Sequence, residues 1–394
     1  MNIQFSDRTG AIKASEIREL LKLTERPEVI SFAGGLPAPE LFPKEEIARI
    51  SKKVFQEEGD IALQYSSTDG YTPLRKKIAG DIMSQANVNV TEDNIMMING
   101  SQQGLEFSAK LFVNEGDVIL CESPSYLGAI NAFMVYRPNF VEIPTDDDGM
   151  IIEELEKALK TTDKVKMIYT IPDFQNPSGK TMPVSRRKRI AELAKEYNVP
   201  VIEDSPYGDL IFEGKRLPSI MSFDKDGYVI YLGTFSKIFC PGFRLGWVCA
   251  KPEIIRKYIL IKQGADLQSS TVSQLITYRF LEENDIQKHI EKIVSVYRKR
   301  RDVMLKSIET YFPKEVKYTR PKGGLFAWVE LKENLNARDI FKEAIEQNVA
   351  FVPGGSFFPN GGHENYFRLN YSTMPEDKIE EGIKRLGNLL KKYY

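Results

Sequence analysis

One lysine, Lys237, lies in a setting that suits covalent catalysis. It directly follows Ser236 after an apolar run at 228–232, and Arg244 comes seven residues later, past a Pro-Gly turn. A lysine at the edge of a buried site has a lowered pKa, and its neutral amine can then bond to an aldehyde. Hydroxyl and guanidinium donors on either side would suit a phosphate group held near that amine. An ordinary polar loop has the same pattern, so other segments must decide.

Two other apolar runs end in side chains that could meet a flat, charged ring. Asp204 follows the run 199–202, and a carboxylate at the end of a buried strand needs a cationic partner such as a protonated ring nitrogen. Asn176 follows the run 167–171 and precedes a proline, which favours an extended backbone that presents the amide to a ligand oxygen. The alternatives are a helix or turn cap for Asp204 and plain turn chemistry for Asn176.

The runs 95–98 and 118–120 are followed by an anion site and an aromatic ring. Gly100 and Ser101 open a predicted helix, whose first N–H groups can bind a phosphate. Tyr126 could stack on a flat cofactor, although tyrosines of this kind are often part of the core. Each feature alone is weak. Together the five strand ends indicate one site for a flat, cationic, phosphorylated ring attached to a lysine, which is pyridoxal 5′-phosphate (PLP).

The elements that would position these residues alternate between short apolar runs and amphipathic stretches from about 94 to 249. Strands are predicted at 95–98, 118–120, 140–143, 167–169, 199–202 and 228–232, and helices at 102–112, 127–136, 152–159 and 185–197. This alternation predicts an α/β fold, with a mostly parallel sheet sandwiched by helices and ligands at the carboxyl ends of its strands.

A second pattern follows this segment. A long helix at about 284–311, strands at 326–330 and 367–371, and helices at 337–347 and 376–391 predict a smaller α+β domain. We expect three parts: an N-terminal segment with a gating helix at 1–40 that joins the small domain, a large PLP-binding domain at 41–284, and a small C-terminal domain at 285–394.

Composition excludes several classes of function. The 394 residues carry 54 Lys and Arg against 55 Asp and Glu, so no basic field favours nucleic acid or an anionic membrane. Two histidines and three scattered cysteines predict neither a metal site nor a disulfide framework. The N-terminus lacks the apolar core of a signal peptide and no apolar run is long enough to span a membrane, so a cytoplasmic enzyme is expected. The basic run 186–189 is interpreted as the solvated face of a helix.

These motifs resemble the PLP-dependent aminotransferases of fold type I, class I/II, and most of all their 2-aminoadipate/kynurenine branch, which includes bacterial lysine-biosynthesis enzymes. Besides the motif at 234–246, the segments 14–21, 31–37 and 367–371 carry the likeness, which spans nearly the whole chain. The resemblance implies that Lys237 holds the cofactor covalently, that Asp204 pairs with the ring nitrogen and that Tyr126 stacks on the ring. The other cofactor contacts that it implies are those of Gly100, Ser101, Gln102, Asn176, Tyr207, Thr234, Ser236 and Arg244.

The resemblance also implies substrate contacts and a homodimer. Arg368 would bind the substrate α-carboxylate, while the Gly35 backbone and the Asn176 amide would approach the substrate. Arg18, on the N-terminal helix, would meet a distal carboxylate, although a plain surface arginine is the alternative. Tyr65 would reach the phosphate of the neighbouring subunit. Thr234 departs from the serine common in the family but keeps the hydroxyl.

The expected reaction is transfer of an α-amino group from 2-aminoadipate, glutamate, or a leucine-like or aromatic amino acid to a 2-oxo acid such as 2-oxoglutarate, by a ping-pong mechanism. Two alternatives stay open. β-Elimination or decarboxylation uses the same cofactor and fold. A ligand-sensing transcription factor would need a DNA-binding module before the aminotransferase-like part, and the segment before Ser31 is expected to be too short for one.

Overall fold

The structure, a computed structural model, describes residues 3–11 and 26–394. Its strands are, in chain order, β1 (Ile30–Ser31), β2 (Ile95–Ile98), β3 (Val118–Ser123), β4 (Asn139–Asp146), β5 (Gly149–Met150), β6 (Val165–Thr170), β7 (Val201–Asp204), β8 (Val229–Thr234), β9 (Gly246–Cys249), β10 (Lys317–Tyr318), β11 (Phe326–Glu330), β12 (Val349–Ala350), β13 (Val352–Pro353) and β14 (Tyr366–Asn370).

Helices connect most of these strands. They span Asp7–Ala11, Lys44–Glu57, Gly59–Ala62, Thr72–Lys77, Met83–Gln85, Ser101–Phe112, Leu127–Met134, Ile152–Thr161, Val184–Tyr197, Pro252–Gln263, Thr271–Glu283, Ile286–Tyr311, Ala337–Glu346 and Glu376–Leu390. A wider π-helical turn, Ile78–Ile82, joins the fourth of these to the fifth. Within the described residues, no helix is long and apolar enough to cross a membrane.

The large sheet has the strand order β2-β9-β8-β7-β6-β3-β4-β5. Its five central strands, from β8 to β4, pair in parallel, whereas β9 runs antiparallel to both of its neighbours and β5 runs antiparallel to β4. A smaller antiparallel sheet has the order β10-β11-β14-β13. The predicted fold class, a mostly parallel sheet between helices with a smaller α+β part, is therefore confirmed.

Both faces of the large sheet are buried, which explains why its strands read as continuous apolar runs. On β3, Ile119 packs towards one face and Leu120 towards the other, each in a different hydrophobic cluster. The helix Ser101–Phe112 covers the Ile119 face, whereas Ile152–Thr161 and Val184–Tyr197 cover the Leu120 face. Successive side chains of a strand point to opposite faces of the sheet. Because both faces are buried, apolar residues occupy every position of the strand.

The N-terminal segment pairs with the C-terminal part of the chain. Strand β1 pairs in parallel with β12, and the long helix Ile286–Tyr311 packs on the helix Glu376–Leu390. In the smaller sheet Arg368 lies opposite Trp328, and Asn370 lies opposite Phe326. This register brings Phe326 and Arg368 to the same face of that sheet.

One edge of the large sheet collects the ends of its strands. Because β9 is antiparallel to both β2 and β8, those two strands run in the same direction. The carboxyl ends of β2, β3, β6, β7 and β8 therefore lie along one edge, where a parallel sheet binds its ligands. Residues that the sequence singled out follow β2, β3, β6 and β8, while β7 and β8 themselves end on two others, Asp204 and Thr234.

Candidate active site

Lys237 follows β8 and points to the N-terminal segment. Its Nζ donates a hydrogen bond of 2.8 Å to the Gly35 carbonyl oxygen. Burial, together with the positive charges of Arg368 and Arg244, lowers the pKa of Lys237 to about 8, while the negative charge of Asp204 opposes this shift. An amine with such a pKa is partly neutral near pH 8, which is the form that reacts as a nucleophile or takes up a proton.

Asp204 is the last residue of β7 and is almost completely buried. Its Oδ2 accepts a hydrogen bond of 3.1 Å from the Tyr169 hydroxyl, whereas its Oδ1 is buried without a hydrogen-bond partner among the described residues. Burial raises the pKa of Asp204 to about 7, although the Tyr169 hydrogen bond and the Lys237 charge oppose this shift. A buried acceptor without a partner is costly, so Oδ1 fits a cationic donor such as a protonated ring nitrogen.

Asn176 and Arg368 meet beneath the N-terminal segment. Arg368 Nη1 donates to Asn176 Oδ1 at 2.8 Å, and its Nη2 donates to the Ala33 carbonyl oxygen at 2.7 Å. The Asn176 amide in turn donates to the Tyr207 hydroxyl at 3.5 Å. All three side chains are buried, so this chain of polar groups lies in the interior of the protein.

Two aromatic rings fix the Arg368 guanidinium. It lies 4.2 Å from the centroid of the Phe326 ring and 5.2 Å from that of Phe357. Burial lowers the pKa of Arg368 to about 10, and its Nε is buried without a hydrogen-bond partner in the described part of the chain. The Arg368 guanidinium is thus a planar cation held between two rings, and its Nε is a remaining donor. Such a group suits a carboxylate ligand.

The anion site predicted after β2 lies next to Arg244. Gly100 adopts a φ of +78°, and the helix begins at the next residue, Ser101. Arg244 Nη2 donates to the Asn99 carbonyl oxygen at 3.2 Å, and a Cβ on Gly100 would lie 2.8 Å from that same Nη2. A side chain at position 100 would thus displace the guanidinium from the start of the helix, where a phosphate would bind.

Two hydroxyl groups complete this side of the site. Thr234 Oγ1 donates to Ser236 Oγ at 3.0 Å and accepts from the Ser236 backbone N–H at 3.1 Å. Gly246, which opens β9, brings this turn close to the helix, because a Cβ there would lie 3.0 Å from the Ser101 nitrogen. The Thr234 hydroxyl therefore bonds to Ser236 on both its donor and its acceptor side.

Gln102 lies on one helix, and Tyr126 lies just before the start of an adjoining one. Tyr126 directly precedes the helix Leu127–Met134, and its ring lies so near Gly128 that a Cβ there would be 2.4 Å from Tyr126 Cζ. Burial raises the pKa of Tyr126. The Gln102 side chain donates to the Gly128 carbonyl oxygen at 2.7 Å, so its amide joins the two helices.

The structure brings most of the predicted site residues together, with two exceptions. Tyr65 is 78% exposed on the single chain and lies outside the buried cluster around Lys237. Arg18 lies outside the described residues, so its role stays a prediction. The remaining predicted residues line the strand-end edge or, for Gly35 and Arg368, the segments that face it.

Sequence reasoning missed Tyr169, Phe326 and Phe357. Tyr169 lies within a predicted strand, and the alternation of side chains could have placed it beside Asp204. Phe326 and Phe357 surround Arg368 through the register of β11 with β14 and through the turn Gly354–Phe357. No local sequence pattern marks that distant packing.

Comparison with known proteins agrees with this geometry. The family model "Aminotransferase class I and II" matches residues 34–386. An aromatic-amino-acid aminotransferase 1 from Thermococcus litoralis is 47% identical over 391 residues, which cover 98% of this chain and 94% of the relative.

Two solved structures are also similar. Kynurenine aminotransferase from Pyrococcus horikoshii, in complex with PMP, KYN and KYA, has a TM-score of 0.95 at 44% identity, over 99% of this chain and 97% of that one. The α-aminoadipate aminotransferase from Thermus thermophilus, complexed with N-(5′-phosphopyridoxyl)-L-leucine, has a TM-score of 0.91 at 43% identity, over 98% of this chain and 97% of that one.

The site and these likenesses define a PLP-dependent enzyme of fold type I. The chain belongs to the class I and II aminotransferases, as its resemblance to the 2-aminoadipate/kynurenine branch implied. It is a transaminase that uses PLP. The Oδ1 of Asp204, which has no partner among the described residues, and the donors around Gly100 fit the ring nitrogen and the phosphate of that cofactor.

Proposed function

We propose that this aminotransferase moves the α-amino group of 2-aminoadipate or glutamate to a 2-oxo acid such as 2-oxoglutarate, by a ping-pong mechanism, and also accepts leucine-like and aromatic donors. The observation that carries the proposal is the buried Arg368 fork, which lies next to Asn176 and has an Nε without a partner among the described residues. Relatives named for aromatic amino acids, 2-aminoadipate and kynurenine support the range of side chains.

In this proposal the cofactor is held at its ring and at its phosphate. Asp204 Oδ1 would accept from the ring nitrogen, Asn176 and Tyr207 would bind the ring hydroxyl, and Tyr126 would stack on the ring. The phosphate receives donors from Gly100, Ser101, Gln102, Thr234, Ser236 and Arg244. Bound there, PLP supplies an electron sink and carries the amino group between the two half-reactions.

Lys237 has two roles in this mechanism. Between turnovers it is the covalent anchor of the cofactor. As a free amine, Nζ would remove the proton from the substrate Cα, for which its pKa of about 8 is suited. Gly35, whose carbonyl oxygen lies 2.8 Å from Nζ, borders the substrate through its backbone. The first product leaves before the second substrate binds.

Replacing Arg368 with Lys should lower kcat/KM for every amino donor. A lysine keeps the charge but loses the planar fork, and one charged hydrogen bond is worth about 1.5–3 kcal/mol, or roughly 10- to 100-fold. Arg301→Lys is the matched control, because Arg301 is also buried and bonded to a backbone carbonyl, that of Pro321, and to Glu213. Steady-state kinetics with equal losses in both variants would argue against a carboxylate contact at Arg368.

Replacing Arg18 with Ala should lower kcat/KM more for acidic amino donors than for apolar ones. If Arg18 meets a distal carboxylate, kcat/KM should fall about 10-fold or more for 2-aminoadipate and glutamate, and far less for leucine and phenylalanine. The assay is a donor panel with 2-oxoglutarate as acceptor, in which 2-oxo acid, ammonia and CO₂ are all measured. Equal losses across the panel would mean that Arg18 does not select the side chain.

We also propose a cytoplasmic homodimer in which Tyr65 reaches the phosphate of the other subunit. Its support is a set of exposed apolar side chains near Tyr65 in sequence, at Ile61 and Leu63, with Leu267 joined to this segment through the neighbouring Gln268–Ser66 hydrogen bond. Sedimentation equilibrium should give twice the chain mass; a monomer mass in the active enzyme would contradict the dimer. We further propose that the chain divides into three parts, with boundaries at 40/41 and 284/285.

A further inference from the structure

A buried tyrosine, Tyr169, contacts Asp204 and has no part in the mechanism above. Its hydroxyl lies 3.1 Å from Asp204 Oδ2, whereas the other carboxylate oxygen, Oδ1, has no partner within residues 3–11 and 26–394. Both side chains are about 1% exposed, so water does not compete for this hydrogen bond. The two carboxylate oxygens therefore have different environments before any ligand is bound.

The fold places this tyrosine by register and by packing. Tyr169 on β6 lies opposite Ile202 on β7, and Asp204 is two residues further along on the same face. Diagonal neighbours at this spacing are within reach of a tyrosine side chain. Behind the ring, Phe133 packs edge-on with its centroid 5.4 Å away and an interplanar angle of 79°. This contact fixes the direction of the hydroxyl.

We propose that Tyr169 is a positioning residue, whose hydroxyl turns Oδ1 of Asp204 towards the cofactor ring nitrogen and keeps Asp204 as a charged carboxylate. The inference rests on the proposed pairing of Asp204 with that nitrogen. A carboxylate that accepted no second hydrogen bond would share the proton of the ring nitrogen, and the ring would lose its positive charge.

The electrostatics of the pair agree with this role. Burial raises the pKa of Asp204, and the Tyr169 hydrogen bond is the first of the two influences that lower it. The other is the charge of Lys237, whose amine is consumed when it anchors the cofactor. Burial, with the nearby Asp204 charge, holds the pKa of Tyr169 well above its usual value, so its hydroxyl remains a donor.

Other titratable groups also face this pair. Tyr126 and Tyr207 lie close enough to Asp204 for its charge to raise their pKa values, and Glu122 acts on Tyr169 in the same way. In the described part of the chain, the hydrogen bond that Asp204 accepts comes from Tyr169 and not from these three groups. Tyr169 is thus the side chain whose removal changes the carboxylate directly.

The test compares Tyr169→Phe with Tyr258→Phe as holoenzymes. Tyr258 is also fully buried and also makes one hydroxyl hydrogen bond, to Ser108 Oγ at 2.7 Å, but it lies on the helix Pro252–Gln263 and not on β6. Each variant is loaded with PLP labelled with ¹⁵N in the ring, and the ¹⁵N chemical shift reports whether that nitrogen is protonated. kcat and KM for the amino donor are measured in parallel.

We expect Tyr169→Phe to move the ¹⁵N signal towards that of a neutral pyridine and to lower kcat roughly 10- to 100-fold, as loss of a hydrogen bond to a charged group would. KM should change far less, and Tyr258→Phe should leave the signal and kcat as in the wild type. In an Asp204→Asn background, Tyr169→Phe should lower kcat no further, because the charge that it supports is gone.

An unchanged ¹⁵N signal in Tyr169→Phe would overturn the proposal, whether or not kcat fell, since a purely structural role predicts that result. An additive loss in the Asp204→Asn background would overturn it as well. A neutral ring nitrogen in the wild-type enzyme is a different result, because it would refute the Asp204 pairing itself and not the part assigned to Tyr169.

Discussion

Replacing Lys237 with Ala should abolish transamination and remove the visible absorbance of covalently held cofactor. The methyl group can neither bond to the cofactor nor accept the substrate Cα proton, so both proposed roles are lost at once. General base catalysis alone contributes about 10²- to 10⁴-fold. With the covalent role added, we expect turnover to fall by more than about 10⁴-fold.

Lys237→Arg separates charge from covalent chemistry. Arginine keeps a positive charge near Asp204, but it stays protonated and cannot anchor the cofactor. This variant should therefore be as inactive as Lys237→Ala. Borohydride reduction of the wild-type holoenzyme, followed by peptide mass analysis, should find the cofactor on the peptide that contains Lys237. Cofactor on another lysine, or turnover by either variant, would refute the assignment.

Replacing Asp204 with Asn should lower kcat roughly 10²- to 10³-fold while the fold persists. The amide keeps the shape of the carboxylate but carries no charge, so it cannot hold the ring nitrogen protonated. This loss corresponds to about 3–4 kcal/mol, which lies in the lower part of the roughly 3–5 kcal/mol that breaking a buried charged pair costs. The measurement is the single-turnover rate of the holoenzyme with excess amino donor.

The neighbouring residue provides a matched control. Glu203 is also completely buried, and burial raises its pKa to about 7 as well. Its carboxylate accepts the backbone N–H groups of Ile220 and Met221 at 2.8 and 2.9 Å, so it serves the structure and not the site. Glu203→Gln should cost about 1–3 kcal/mol of stability and leave the rate per folded enzyme unchanged. Similar rates for both variants would contradict the role of Asp204.

Much of the fold could be predicted because buried parallel strands leave a clear pattern. The predicted strand at 95–98 is β2 to the residue, whereas the predicted strand at 199–202 is shifted by two residues, because β7 begins at Val201 and ends at Asp204. The predicted helix at 127–136 ends earlier, at Met134, because helix ends carry little apolar signal. Antiparallel β9 inside the sheet was not predicted, since strand direction depends on pairing between distant segments.

The candidate site likewise has a part that could be predicted from the sequence and a part that could not. Residues at strand ends, such as Asp204 and Lys237, could be found because chain order places them at one edge of the sheet. The buried residues that hold these site residues in place could not be predicted. The basic run 186–189 was interpreted as a solvated face, and this was wrong for Arg187, which is completely buried.

Arg187 has its own structural role. It bonds to Asp173 and to three backbone carbonyls, those of Pro172, Met182 and Pro218. These contacts hold the loop that carries Asn176. A charged residue within a charged run gives no local sign of such burial, because its partners lie on other segments of the chain.

The most direct test of the central claim is a half-reaction without an acceptor. Purified holoenzyme is mixed with 2-aminoadipate alone, and 2-oxo acid, ammonia, CO₂ and cofactor absorbance are followed. A ping-pong aminotransferase should form one equivalent of 2-oxo acid per active site, lose the absorbance of lysine-bound cofactor, and regain it when 2-oxoglutarate is added. Continuous release of ammonia or CO₂ without an acceptor, or no 2-oxo acid until both substrates are present, would contradict the account.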